Sequence, residues 1–172
     1  MSVTKPAVVL VNLGTPDAPT TAAVRRYLKQ FLSDPRVVEA PRLIWFWVLR
    51  LIILPLRPRR VAKLYASIWQ QDSPIRLVAQ QQAEALAGRF DCTVRYAMSY
   101  GSPGFEAVLD ELADQGHDHL LILPLYPQYS GPTTGSTFDA IAADFKHRRW
   151  LPQLRFISQY CDHPGYIAAL AA

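Results

Sequence analysis

Acidic residues are missing from one long stretch of this chain. Between Ala40 and Gln71 there is no Asp or Glu, while Arg42, Arg50, Arg57, Arg59, Arg60 and Lys63 give the segment a net charge of +6. The whole 172-residue chain carries only +4, so everything outside that stretch is net −2. The excess charge points to a local anionic partner. The basic residues are interleaved with apolar ones and no nucleic-acid-binding motif is present, so no nucleic acid is expected. Cysteine is scarce too: Cys92 and Cys161 are too few for a disulfide framework or a Cys-pair metal site, and a reducing cytosol is the default. The start, MSVTKPAVVLVNLG, lacks the basic stretch and long apolar run of a signal peptide and reads as a mature start leading straight into a strand. No G-x-G-x-x-G or Walker A pattern occurs, which removes the common nucleotide cradles. No Ser-His-Asp or Cys-His arrangement argues for nucleophilic catalysis.

What is present describes a globular α/β domain. Half of the residues are hydrophobic and 19% are charged, enough for a single domain with a core. Ala7 to Leu13 is a β-rich run closed by Gly14-Thr15-Pro16. Thr20 or Thr21 can cap a helix that reaches Leu32, with Val24, Tyr27, Leu28 and Phe31 on one side and Asp34-Pro35 as the stop. Leu43 to Leu56 is the most apolar part; at 14 residues with Arg50 inside, it is shorter than the roughly 20 a bilayer span needs. Pro55 and Pro58 are expected to end it, with a basic helix following from about Arg59 to Trp69 and another from about Ile75 to Arg89. From Cys92 onward, strands at Thr93 to Ser99, His119 to Leu125 and Leu154 to Tyr160 alternate with helices at Pro103 to Gln115, capped by Ser102, and at Gly135 to Arg148. A last helix opens at Pro164 and is still running at Ala172 with no stop signal, so the fold is expected to continue beyond it. This alternation predicts a parallel sheet covered by helices on both faces, with its site beyond the carboxyl ends of the strands. That rule selects the turns at Leu13 to Pro16, Tyr100 to Pro103 and Tyr126 to Ser136.

Three constellations could carry chemistry. Asn12 to Asp17 could cradle a phosphate, but the motif alone favours a tight strand-to-helix connection. Arg42 to Tyr65 sets Trp45, Phe46 and Trp47 beside Arg57, Arg59 and Arg60. Such a pattern suits a flat apolar ligand bearing carboxylates, or an interfacial helix on an anionic membrane, or a buried core helix followed by a solvated basic one. The loop Leu125-Tyr126-Pro127-Gln128-Tyr129-Ser130 and the threonines after it could stack and hydrogen-bond an aromatic ligand, or simply cap the next helix. His117 and His119 form an H-x-H pair at a strand's entry, the wrong end for an active site, and read as surface residues; His147 and His163 stand alone and read as exposed.

Taken together, VNLGTPDAP, YLKQFLSDPRVV, RPRRVAKLYASIW, DSP, MSYGSP and LPLYPQYSGPTTGS resemble bacterial ferrochelatases, in that family's order from about Pro6 to the end. The resemblance implies the first of two Rossmann-like domains that flank a porphyrin cleft, spanning residues 1–172 with a hydrophobic lip at about 40–71. It implies insertion of ferrous iron, as a substrate, into protoporphyrin IX in haem biosynthesis. The matching porphyrin contacts are Leu13, Arg57, Tyr65, Ser73 and Tyr129, with Arg59 and Arg60 as further partners for a propionate. The lip, Leu43 to Leu56, implies peripheral contact with the inner membrane face of a cytoplasmic protein. The family's catalytic His lies in a second domain, in a motif S-[AY]-H that these 172 residues lack, so no catalytic or metal-binding residue is expected here and the chain alone should be inactive. Some members hold an iron–sulfur cluster partly through a Cys just after YPQYS; Gly131 stands there, so no bound cofactor is expected. The alternative is a non-catalytic porphyrin- or membrane-binding module.

Overall fold

β-branched and leucine residues dominate the first strand because it is covered on both sides. The computed structural model describes residues 6–149 and 151–172. In it, β1 (Ala7–Thr15) lies between β2 (Thr93–Gly101) and β3 (His119–Pro124), and β4 (Gln153–Phe156) flanks β3. All three pairings are parallel, in the order β2-β1-β3-β4. Successive side chains of β1 point to opposite faces. Ala7, Val9 and Val11 pack with Phe105, Leu109 and Leu112 of α5 (Phe105–Asp114) and Ile141 of α6 (Ser136–Phe145). Leu10 on the other face meets Ala83 of α4 (Pro74–Ala87). Helices on both faces of a parallel sheet are the expected α/β class.

The chain leaves β1 for β2 on one side and returns to β3 on the other. The order therefore reverses between β1 and β3, and a crevice opens beyond their carboxyl ends. Gly14 fixes the geometry there. Its φ is 110°, and a Cβ on it would come within 1.7 Å of the Tyr100 carbonyl oxygen. Gly101, with φ 87°, repeats the close approach from β2: its Cβ would lie 2.3 Å from the Thr15 carbonyl oxygen. Only glycine allows two parallel backbones to meet this closely at positive φ.

Helix α1 (Thr21–Ser33) is capped by Thr20, whose hydroxyl accepts from the Ala23 amide at 3.3 Å. The lip departs from the sequence expectation. Pro55 and Pro58 do not end it. Helix α2 (Arg42–Val48), a π-helical turn (Leu49–Ile53) and helix α3 (Leu54–Ile68) run on without a break. The π turn, in which the Leu54 amide reaches back to the Leu49 carbonyl, resets the hydrogen-bond register just before Pro55, which then falls in the first turn of α3. Pro58 lies inside α3 and cannot bond to the carbonyl of Leu54. The Arg25 Nε–H of α1 donates to that carbonyl instead, at 3.1 Å. An orphaned acceptor thus gains a partner from a neighbouring helix.

Smaller differences lie toward the end of the chain. Ser102 caps nothing; Gly104 occupies the N-cap of α5 without a side-chain bond. The expected loop before α6 contains a second π turn, Gly131–Gly135, so α6 begins one residue late. β4 is only four residues long, and α7 (Pro164–Ala171) follows with His163 accepting from the Gly165 amide at 3.1 Å. His163 is exposed, as expected, but it does not stand alone: it caps α7.

The Gly14 contact predicts a severe effect from a single methyl group. Gly14→Ala adds a backbone clash to a left-handed strain and should cost about 3 kcal/mol or more. Urea unfolding would check it; a midpoint within error of wild type would show that the β1–β2 ends can separate at little expense.

Candidate functional site beyond the strand ends

Tyrosines converge where β1, β2 and β3 end. Tyr27 of α1 donates its hydroxyl to the Gly14 carbonyl at 3.4 Å. Its ring meets the edge of Tyr65 on α3 with centroids 6.4 Å apart, and Tyr65 in turn meets Trp69 at 6.4 Å. Phe31 stacks beside Tyr27 and touches Tyr100 edge-on at 5.1 Å. Tyr100 donates to the Asp34 carboxylate at 2.6 Å. Aromatic pairs in these arrangements hold their rings in fixed orientations. Burial and the Asp34 carboxylate push the Tyr100 phenol well above its ordinary range, and burial does the same for Tyr27.

Ser73 is 2% exposed and accepts a hydrogen bond from the Thr15 hydroxyl at 2.8 Å. This bond ties the start of α4 to the end of β1. Arg76, one turn on, clasps Asp72 at 2.7 and 2.9 Å and reaches the Pro16 carbonyl at 3.2 Å. Leu13 is half-buried in the same strand end, next to the Gly14 carbonyl that holds Tyr27. Three of the residues named from the sequence, Leu13, Tyr65 and Ser73, thus gather around one strand end, linked through Tyr27 and Thr15.

Arg57 and Tyr129 are not joined to that group by any hydrogen bond or ring contact. Arg57 is exposed on α3, about 12 Å along the helix from Tyr65. Like Arg59 and Arg60, it has no ion-pair partner among the described residues. Tyr129 is 54% exposed on the loop after β3. That loop is braced by Arg36, which bonds to Asp139 of α6 at 3.0 Å and packs beneath Gly135, where a Cβ would lie 3.0 Å from its guanidinium. The His119 Nδ1–H donates to the Asp118 carboxylate at 2.7 Å, at the sheet's opposite end. No group of three or more His, Cys, Asp or Glu side chains that could hold a metal occurs among the described residues.

Thr15 and Tyr100 lie in turns that the strand-end rule selects, whereas only the structure brings Tyr27 to the site. Tyr27 sits at helical spacing with core residues, and nothing in that spacing marks a hydroxyl aimed at a strand end. Their shared chemistry is clear from the geometry. This is an aromatic floor whose hydroxyl protons are already committed within the protein, so it can support a ligand from beneath but neither donates to it nor abstracts a proton from it.

Tyr126 offers a direct check. Its phenol lies beside Ser99 but in no hydrogen-bonding geometry, and burial pushes it up to about 12. The native state therefore holds this proton where the unfolded chain, with an ordinary tyrosine near 10, releases it. The resulting stability is present below pH 10 and fades as pH rises from about 10 to about 12. In Tyr126→Phe the fall in unfolding free energy over that window should shrink, and the variant should keep near wild-type stability at pH 7, because an unpaired buried hydroxyl is removed. Urea unfolding at several alkaline pH values would measure both.

The comparisons with known proteins agree with this architecture. The ferrochelatase family model matches residues 5–172. A ferrochelatase of Teredinibacter turnerae is 58% identical over 97% of this chain and 48% of its own length. Ferrochelatases of Alcanivorax borkumensis and Erwinia tasmaniensis are each 53% identical, over 97% and 98% of this chain and 51% and 53% of theirs. The chain spans about half the length of the curated relatives it matches. With a family model covering nearly all of its residues, the chain belongs to the ferrochelatase family.

Proposed function

We propose that this chain forms one wall of a porphyrin site in an enzyme that inserts ferrous iron into protoporphyrin IX, giving protohaem. Family membership supports the reaction. The observation that carries the role of this half is the convergence of Leu13, Tyr65 and Ser73 on one strand end over a floor of tyrosine rings. A flat macrocycle can lie against Leu13 and Tyr65. The free guanidinium of Arg57 on the lip helix can pair with a propionate, with Arg59 and Arg60 close by in sequence. Tyr129 faces solvent on the loop after β3 and would close one side of the cleft.

Iron insertion releases two pyrrole protons as the metal takes their place. That step needs a positioned base. The phenols here hold their own protons too tightly to serve, and the motif S-[AY]-H does not occur in the sequence. In this reading the base and the iron route lie in the remaining half of the family's length. The present residues supply fit and anchoring: a close wall that binds a bent macrocycle better than a flat one lowers the barrier to metal entry. The reading includes no resident cofactor.

The lip supports a second part of the proposal, peripheral contact with the inner face of a membrane. Leu43, Ile44, Trp47, Leu51 and Leu56 are each more than half exposed, which supports this reading over that of a helix buried in the core of this domain. No helix among the described residues is long and apolar enough to cross a membrane, so the contact would be one of lying on the surface.

A fluorescence titration of the chain with protoporphyrin tests the porphyrin wall. Arg57→Ala should weaken binding about ten- to hundredfold, the worth of a charge-assisted hydrogen bond. Tyr65→Ala should weaken it further than Tyr65→Phe, which keeps the ring. Saturable binding that neither position affects would move the propionate anchor away from Arg57 and the macrocycle away from Tyr65.

A further inference from the structure

A second recess lies on the opposite side of α1 from the tyrosine floor. Residues 25 and 29 are one helical turn apart, and both lie about 200° around the helix from Tyr27. Arg25 and Lys29 therefore face away from Tyr65, toward the base of the lip. There a cavity of about 360 Å³ opens between α1 and α2, lined in part by Lys29, Arg42, Phe46 and Arg50, with Glu39 as its one acidic residue. It continues into a shallower recess of about 460 Å³ that shares Lys29 and Arg50 and adds Arg25. Four cations thus line one furrow against one carboxylate. None of the four forms an ion pair among the described residues. Arg25 uses only Nε, on the Leu54 carbonyl, and the Arg50 guanidinium lies over the Phe46 ring at 4.5 Å.

The placement of these charges is informative. Arg42, Phe46 and Arg50 follow one another at four-residue steps along the lip, and Leu43, Trp47 and Leu51 form the adjacent row. The first row lines the furrow; the second is 75%, 54% and 65% exposed. A furrow of unpaired cations bordered by bare apolar side chains matches a ligand with an anionic head and an apolar tail. Free phosphate would satisfy the furrow but leave that apolar row in water.

We propose that this furrow binds the phosphate of an anionic phospholipid headgroup while Leu43, Trp47 and Leu51 enter the acyl region, so that the lip docks in one orientation. The inference rests on the reading that the lip meets a membrane, and adds to it a headgroup site and a lipid preference. Arg25 is left untouched in the test because it also supports α3. Lys29 and Arg50 are exposed and hold no backbone group, so replacing them should leave the fold intact.

The experiment is sedimentation of the full chain with vesicles of phosphatidylcholine alone, and with vesicles containing about a third phosphatidylglycerol. Wild type should bind the anionic vesicles much more tightly. Lys29→Ala/Arg50→Ala should lose about thirtyfold on them, the size expected for two basic residues held at an anionic surface, with partial recovery in Lys29→Ala/Arg50→Lys. Arg89→Ala/Arg155→Ala removes the same charge from exposed positions elsewhere and should lose far less. Equal losses in the two double variants would overturn the furrow and leave only diffuse attraction. Equal binding of wild type to both vesicle types, abolished by Trp47→Ser/Leu51→Ser, would also overturn it while upholding membrane contact through the lip. Absence of binding to either vesicle would remove the membrane reading and the headgroup site together.

Discussion

The carbonyl oxygen of Tyr100 stands where a side chain at position 14 would have to go. That single exclusion brings the ends of β1 and β2 together, and the rest of the site is hung on it. The Gly14 carbonyl is left to receive Tyr27, and the residue after it, Thr15, bonds to Ser73. Gly101 makes the matching approach from the other strand, and its amide donates to Gln30 of α1 at 2.9 Å. Helices α1 and α4 are therefore both referenced to the same pair of backbones.

Around that point the chain spends aromatic side chains on rigidity. Tyr27, Phe31, Tyr65 and Tyr100 meet mostly edge to face, and Asp34 fixes the last of them by its hydroxyl. Such a floor has few rotamers to lose when a flat ligand arrives, so less of the contact energy is consumed in ordering. The charged groups suited to a ligand's carboxylates lie instead on the exposed lip helix. Fit and charge are thus assigned to different elements, a strand end and a helix, that touch through Tyr27 and Tyr65.

Much of the framework could be read in the sequence because its causes are local. The run Ala7 to Leu13 is apolar on both faces of a strand and nothing else suits it; the structure extends it only to Thr15. Thr20 sits where a cap must sit. The parallel sheet followed from strands separated by helix-length segments. The lip differs from the sequence expectation because its cause is remote: a helix continues through Pro58 while the Leu54 carbonyl that Pro58 leaves unpaired takes a donor 29 positions before Leu54. Spacing alone could not supply that. The site was half legible for the same reason. Leu13, Tyr65 and Ser73 lie in motifs, as do Tyr27 and Tyr100, but no motif shows that the last two bond to a carbonyl and a carboxylate of other elements. The short π turn at Gly131–Gly135 likewise has no local signature beyond its glycines.

The bond from Arg25 to the Leu54 carbonyl ties the lip to α1. Some 40 Å of helix, from Arg42 to Ile68, is stiffened across its prolines by a side chain whose own helix also carries Tyr27. Arg25 and Tyr27 leave opposite sides of α1, so one helix both braces the lip and underlies the strand end, and a substitution that displaces α1 would disturb both surfaces at once.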